Sequence, residues 1–272
     1  MRKFRNTVVL FIIAVGAGIS LMPFVWMLVT SLSDGAAIYK LPPQFILREY
    51  HFENYAFVFG KIPFKTYFLN SVLVSFAVTV GTLLTTIPAA FAFTYLKFKG
   101  RDFLFVVIIS TMMIPSEILL APNFVLLTRL KLINTLPALY IPWIASAFSI
   151  FMLRQYFLDI PKELYQSAKV DGCSDFKYLW KVAVPYSKPA LISIALLRII
   201  NSWNEFLWPL LMINRPSKRT LPVGLTTFMT EAGPNCNYLM AYSAMVIVPV
   251  IIVYIILQKH LIEGFSKNGI KG

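Results

Sequence analysis

Charge is scarce in this chain. Only 14% of its 272 residues are Asp, Glu, Lys or Arg, where an average soluble domain carries about one quarter. With 58% hydrophobic residues, the chain holds too much apolar side chain for the core of a water-soluble domain. The class this leaves is an all-α polytopic membrane protein. Acid is scarcer than base, with 12 Asp and Glu against 25 Lys and Arg. In a soluble protein that excess would direct attention to nucleic acid. On a chain this apolar, basic residues flank spans and hold loops at anionic lipid headgroups, so lipid and not nucleic acid is the expected partner.

Other absences exclude whole classes of chemistry. There are two cysteines, Cys173 and Cys236, and two histidines, His51 and His260. They form no Cys/His cluster in the sequence, so no metal site is assigned. An intramembrane enzyme needs nucleophile, acid–base or metal groups within its spans. His51 lies between apolar runs and His260 at the end of the last one, so no catalytic residue is assigned. A phosphate-binding loop is missing too. The Gly60-Lys61 pair is followed by Ile62, and Tyr55 stands where the first glycine belongs. No apolar run keeps a period of two, which disfavours a barrel. No fixed-period repeat or low-complexity tract is present.

What the chain does have is six apolar runs long enough to cross a hydrocarbon core, at about residues 7–32, 67–96, 103–127, 136–157, 188–213 and 239–262. Each meets the roughly 20 helical residues a span needs. The first run exceeds a signal-peptide core and ends in no convincing cleavage site, so it reads as a retained span. Lys and Arg are commoner on the segments that lie inside if the N-terminus is cytoplasmic, which predicts an N-in/C-in topology. Cys173 and Cys236 then fall on opposite sides and cannot pair. Pro23, Pro88, Pro115, Pro122, Pro142, Pro209 and Pro249 interrupt the runs. Each removes a helical hydrogen bond, and the kinks suit either rocking between states or ordinary membrane-helix association.

Residues 159–185 break the apolar pattern. Pro161 fits a first helical turn, Glu163 meets the positive helix end and Lys169 the negative one. Leu164 and Ala168 share a face. Gly172 stands where a helix stops, and Ser174 can cap a second helix. In that second helix Phe176, Leu179, Trp180 and Ala183 are expected on one face, with Lys177 and Lys181 beside it and Pro185 closing the unit. Such a bent helix pair can lie on the membrane surface or fit a groove in a partner.

The stretch "PKELYQSAKVDGCSDFKYLWKVAVPYSKPAL" resembles the cytoplasmic loop signature of ABC-type importer permeases, in particular the maltose-type carbohydrate branch. Pro161, Glu163, Leu164, Asp171 and Gly172 match that branch, the triplet before the glycine is Gln166-Ser167-Ala168, and Val184-Pro185 supplies the end. "FENYAFVF", "YFLNS", "LKLINTLPAL", "NSWNEFLWPL" and "QKHLIEGFSKNGIKG" extend the resemblance over residues 41–272. One departure is clear: Gln166 replaces the family's glutamate, with little change in size or helix propensity.

The resemblance implies a type I permease fold in the cytoplasmic membrane, over the single domain 1–272 with a tail at 263–272. It implies a second permease subunit, a cytoplasmic ATPase pair that carries ATP and Mg, an external solute-binding protein, and a sugar or oligosaccharide as solute. No cofactor is expected on this chain. Glu163, Gln166, Ser167, Ala168, Asp171, Gly172 and Pro185 would form a coupling helix that docks on the ATPase. Ser266, Lys267, Asn268, Gly269 and Lys271 would add a tail contact. Polar residues within the spans are costly. They single out Glu117, about 20 Å into the third run on a continuous helix, and Arg198, Asn201 and Glu205 on one face of the fifth. Trp203 and Asn204 lie beside them. These residues suit interhelical or interpermease hydrogen bonds, or contact with solute. Trp203 and Trp208 suit a sugar face or anchoring at the membrane interface. The alternative class is a secondary carrier or channel, but the inverted repeats and buried charge relays of that class are not seen.

Overall fold

The computed structural model describes residues 2–35, 45–230 and 233–266. Among these residues the protein is helical apart from one antiparallel ribbon of two-residue strands, β1 (Met229–Thr230) and β2 (Gly233–Pro234). Three helices are long and apolar enough to cross a membrane unbroken. They are α1 (Arg2–Ser31), α3 (Phe64–Tyr95) and α13 (Cys236–Ser266). Between α1 and α3 lies the short α2 (Glu53–Lys61).

The other three apolar runs depart from continuous helices. The run at 103–127 becomes α4 (Arg101–Ser110) and α5 (Leu120–Arg129), joined through single turns and bent by 93° at Pro115. The cause is local. Ile114 is forced to extended backbone (φ −87°, ψ 116°), as expected before a proline, and Pro115 has no N–H to continue the ladder. The run at 136–157 becomes α6 (Pro137–Tyr140), with one further turn to Trp143, and α7 (Ala147–Leu158), bent by 45°. Ser146 caps α7 by accepting from the Ser149 N–H at 3.2 Å. After α8 (Lys162–Val170), α9 (Asp175–Tyr178) and α10 (Val184–Tyr186), the run at 188–213 becomes α11 (Lys188–Asn204) and α12 (Leu207–Met212). The arm Asp175–Tyr186 meets α11 at 77°.

The chain divides into two compact units. One comprises Met1–Lys65 and Val223–Pro249. Its α1 buries none of its most apolar window, as suits a helix solvated by lipid. Asn54 holds the end of α1: its amide donates to the carbonyls of Ser31 (2.9 Å) and Ser33 (3.0 Å) and accepts from Asn237 (3.4 Å). A single side chain thus takes up carbonyls orphaned at a helix C-terminus.

The other unit comprises Thr66–Pro222 and Val250–Gly272. Its centre is α3. Ile87, Ala90 and Phe91 pack with Leu153 and Phe157 of α7, with Tyr178, and with Ile194 of α11. The α6–α7 break frees carbonyls, and α3 supplies donors to them. Thr85 Oγ1 donates to the Ile144 carbonyl at 2.7 Å and Thr82 Oγ1 to the Trp143 carbonyl at 3.3 Å. Irregular backbone at membrane depth is tolerated only with such partners. The approach needs a glycine, because a Cβ on Gly81 would lie 2.6 Å from Ile144 Cγ2. At another loop, Asn134 (φ +63°) accepts on Oδ1 from the N–H groups of Asn214 (2.7 Å) and Arg215 (3.0 Å). It ties the turn after α5 to the chain leaving α12.

Gly81→Ala is therefore expected to cost roughly 1–3 kcal/mol by overpacking, read as a lower melting temperature of the protein in detergent. Ile144→Ala in the same chain should recover part of the loss, and simple additivity of the two changes would refute the proposed collision.

Candidate functional sites: the 161–186 module and the Arg198 cavity

The module begins at α8, with Pro161 immediately before its first residue and Glu163 in its first turn. It ends in a complete Schellman motif. The Cys173 N–H donates to the Ala168 carbonyl at 2.8 Å and the Gly172 N–H to the Lys169 carbonyl at 3.1 Å. Gly172 has φ +71°, where a Cβ is disfavoured. Ser174 then caps α9, accepting from the Lys177 N–H at 3.3 Å.

Three tyrosines fix this bent pair to the core. Tyr165 of α8 packs against Tyr95 at the end of α3 (ring centroids 4.8 Å apart) and against Tyr178 (5.0 Å). Tyr95 donates its hydroxyl to the Phe157 carbonyl at 3.0 Å. Asp175 closes the bend. Its Oδ1 accepts from the Tyr165 hydroxyl and pairs with Lys169 Nζ, each at 2.6 Å. The Lys169 ammonium, and next the Tyr165 hydroxyl, hold the Asp175 carboxyl below the usual carboxylate range. Burial and then this hydrogen bond push the Tyr165 phenol up to about 12.

The second helix departs from the expected pattern. Residues Leu179–Ala183 form a π-turn, in which the Val184 N–H reaches back to the Leu179 carbonyl. Pro185 sits inside the helical turn that follows and does not close the unit. The wide turn accommodates a proline ring that would otherwise clash with the preceding turn. It also splits the predicted face. Tyr178, Leu179 and Ala183 are buried, while Phe176 is 74% and Trp180 41% exposed. Leu164, Val170, Phe176 and Trp180 are each exposed on the module, with the Phe176 and Trp180 rings 6.2 Å apart. Lys162, Lys177 and Lys181 are exposed on the same segment. Of the triplet, Gln166 and Ser167 face outward and Ala168 packs on the core. Asp171, Gly172 and Pro185 are exposed.

The second site is a cavity of about 160 Å³ where α3, α6, α11 and α12 meet. Arg198, Asn201 and Glu205 all line it, joined by Ser202, Ser116 and Trp143. Arg198 donates from one terminal nitrogen to the Trp143 carbonyl at 2.5 Å. Glu205 leaves the helix (φ −66°, ψ 121°) and accepts on Oε1 from the Trp208 N–H at 3.1 Å, capping α12.

Several predicted site residues lie elsewhere. The depth expected for Glu117 assumed a continuous third helix. The break at Pro115 removes that premise, and Glu117 is exposed on the turn after it, outside the cavity lining. Asn204 is exposed at the end of α11. Trp203 is buried against Phe68 (5.8 Å), and buried Trp208 donates its indole N–H to the Ala138 carbonyl at 3.0 Å. Both indoles are buried in the core of this chain. Ser266 ends α13, and Lys267, Asn268, Gly269 and Lys271 lie outside the described residues. The tyrosine cluster was missed by sequence reasoning. Its one available signal was Pro185, which forbids a regular α-turn just before it and so makes the simple helical face unreliable.

Long apolar helices, three of them broken, with a charged two-helix module and a cavity of mixed polar and apolar lining, define a polytopic membrane transport protein. The chain belongs to the family of binding-protein-dependent transport system inner membrane components, which matches residues 81–267. It is 39% identical over 221 residues to the arabinooligosaccharides transport system permease protein AraQ of Halalkalibacterium halodurans, covering 81% of this chain and 79% of that one. It is 28% identical over 258 residues to the sn-glycerol-3-phosphate transport system permease protein UgpE of Yersinia pestis, covering 92% of each. Among solved structures it resembles a chain of a bacterial ABC transporter involved in the import of the acidic polysaccharide alginate. That match has a TM-score of 0.82 and 28% identity, and covers 94% of this chain and 96% of that one.

Two outcomes follow for the module. Gly172→Ala should destabilise it by about 1–2 kcal/mol through the left-handed backbone alone, since a Cβ there meets nothing within 4 Å. The depressed Asp175 carboxyl stabilises the bend above the ordinary aspartate range near 3.9. That contribution is lost as pH falls through its folded value. Amide protection factors across residues 161–178, that is, the intrinsic exchange rate at each pH divided by the observed rate, should therefore fall at acid pH in the wild type. In Asp175→Asn they should already be low at neutral pH and change little as pH falls.

Proposed function

We propose that this chain is one of two permease subunits in an importer of sugars or oligosaccharides, supplied by an external binding protein and driven by a cytoplasmic ATPase pair. The observation that carries the reading is the outer side of the 161–186 module. Leu164, Val170, Phe176 and Trp180 are exposed there on a segment that Tyr95, Tyr165, Tyr178 and Asp175 fix to the core. An apolar surface with a basic rim, held rigidly, suits docking in a groove. Its rigidity suits transmission of force. ATP binding must favour one state of the assembly, and the docked module carries that bias to the spans.

In this reading the six apolar runs are six spans with both termini cytoplasmic, as the Lys and Arg bias supports. ATP and Mg belong to the partner subunits. Glu163, Gln166, Ser167, Asp171 and Gly172 lie at the ATPase surface, where Gln166 docks by shape and hydrogen bonding in place of a salt bridge. Ala168 packs the module on the core, and the exposed Pro185 shapes it through the π-turn before it. The tail from Ser266 through Lys267, Asn268, Gly269 and Lys271 adds a second contact. The solutes named for the relatives are arabinooligosaccharides, glycerol phosphate and alginate. They share dense hydroxyl groups, which supports a carbohydrate-class solute here.

The test is reconstitution of the permease pair, ATPase pair and binding protein in liposomes. Phe176→Asp should leave the spans folded but lower ATP-driven uptake at least about tenfold, since it places a charge in an apolar contact. Unchanged uptake by an intact complex would overturn the docking role. Deleting residues 267–272 should lower uptake per ATP hydrolysed by a smaller factor.

A further inference from the structure

Arg198 occupies an unusual position. It lies midway along α11, half-buried in the cavity wall. It spends one terminal nitrogen on the Trp143 carbonyl, while its buried Nε has no hydrogen-bond partner. Among the described residues no carboxylate lies within ion-pair distance of it. Glu205 borders the same cavity but is not within ion-pair distance of the guanidinium, and one of its oxygens is committed to the Trp208 N–H. A guanidinium fixed at membrane depth without a counter-charge is costly, and such groups mark ion or substrate paths.

We propose that this cavity binds an anionic group on the transported solute, a carboxylate, phosphate or sulfate carried by a sugar ring. The proposal rests on the permease reading above and narrows its solute class. The planar guanidinium fork matches such oxyanions and is more weakly hydrated than an ammonium. Asn201, Ser202 and Ser116 line the same space and suit ring hydroxyls, and Trp143 offers an aromatic surface. The volume of about 160 Å³ is below the roughly 300 Å³ at which drug-sized sites begin. It therefore admits one ring at a time, as a path for an extended oligosaccharide would. A solute with hydroxyls alone would leave the guanidinium uncompensated.

The test uses the assembled complex of permease and ATPase pairs in detergent, with galacturonate, galactose 6-phosphate, galactose 6-sulfate and galactose as probes. At least one anionic probe should raise the melting temperature saturably, and galactose should not. Arg198→Gln should weaken that effect on the order of tenfold or more, and Arg198→Lys should retain part of it. If no anionic probe stabilises the wild type, or if Arg198→Gln responds equally, the proposal is overturned. It is also overturned if Arg198→Gln fails to assemble while Arg198→Lys assembles and does not distinguish charged from neutral sugar. That result would assign the counter-charge to the second permease. Uptake in liposomes separates this failure from the broader one. ATP-dependent import of arabinotriose but not of a galacturonate trimer sinks the anionic solute and leaves the importer standing. Uptake without the ATPase sinks the importer itself.

Discussion

The backbone carbonyls of Trp143 and Ile144 must find donors outside their own helices, and α3 and α11 of the second compact unit supply them. Helix α6 stops short and α7 starts afresh, so these oxygens have lost their intrahelical partners. Thr82 and Thr85 reach them from α3, Arg198 reaches one from α11, and Gly81 allows α3 close enough for the bonds to form. In hydrocarbon an unsatisfied carbonyl costs several kcal/mol. The break therefore fixes α3 and α11 against the α6–α7 corner more firmly than apolar contact alone, because lipid tails are as apolar as leucine. The cavity is a consequence. A broken helix leaves room beside it, and Trp143 at the break and Arg198, which satisfies it, both line that space.

The module depends on a different kind of anchor. Phe176 and Trp180 are exposed, so its hold on the rest of the chain comes from inner residues, among them Tyr178, Leu179 and Ala183. Tyr165 and Tyr178 supply rings to the core, and the Tyr165 hydroxyl reaches Asp175, as does Lys169. An aromatic with one polar end serves both sides of such a boundary. The result is a helix pair that keeps its shape while offering its hydrophobic side chains outward.

Much of this was legible in the sequence because it is local. The six apolar runs, the αL glycine at 172, the Ser174 cap and the three-and-four spacing of Arg198, Asn201 and Glu205 all follow from period and turn chemistry. The breaks were legible only as places. Pro115 marked a discontinuity, but a 93° bend needs partners distant in sequence, which a local pattern does not carry. Glu117 was misplaced for that reason. The π-turn at Leu179–Ala183 and the tyrosine cluster escaped for a related one. Pro185 required some irregularity before it, yet which aromatic then turned inward depended on Tyr95, more than 80 residues upstream.

Two helices connect the sites, α3 by packing and α11 by continuity of the chain. The arm Asp175–Tyr186 meets α11 at Ser187, and α11 then runs unbroken to Asn204. Arg198 lies ten residues from its start, about 15 Å along the axis. A helix of this length resists bending, whereas the 77° corner at Ser187 and the irregular turn at Glu205 can absorb changes in backbone angle. In the proposed coupling, displacement of the module would reach the cavity as a shift or rotation of α11 as a body. Such a motion changes the distance between the Arg198 guanidinium and the Trp143 carbonyl on the opposite wall. That hydrogen bond is formed in the arrangement described here, and its loss would free a further donor toward the cavity. The coupling is physical only if both sites bias one two-state element. Two segments meet that condition: α11, which follows the module and lines the cavity, and α3, which carries Tyr95 against the module and Val74 and Val78 in the cavity wall.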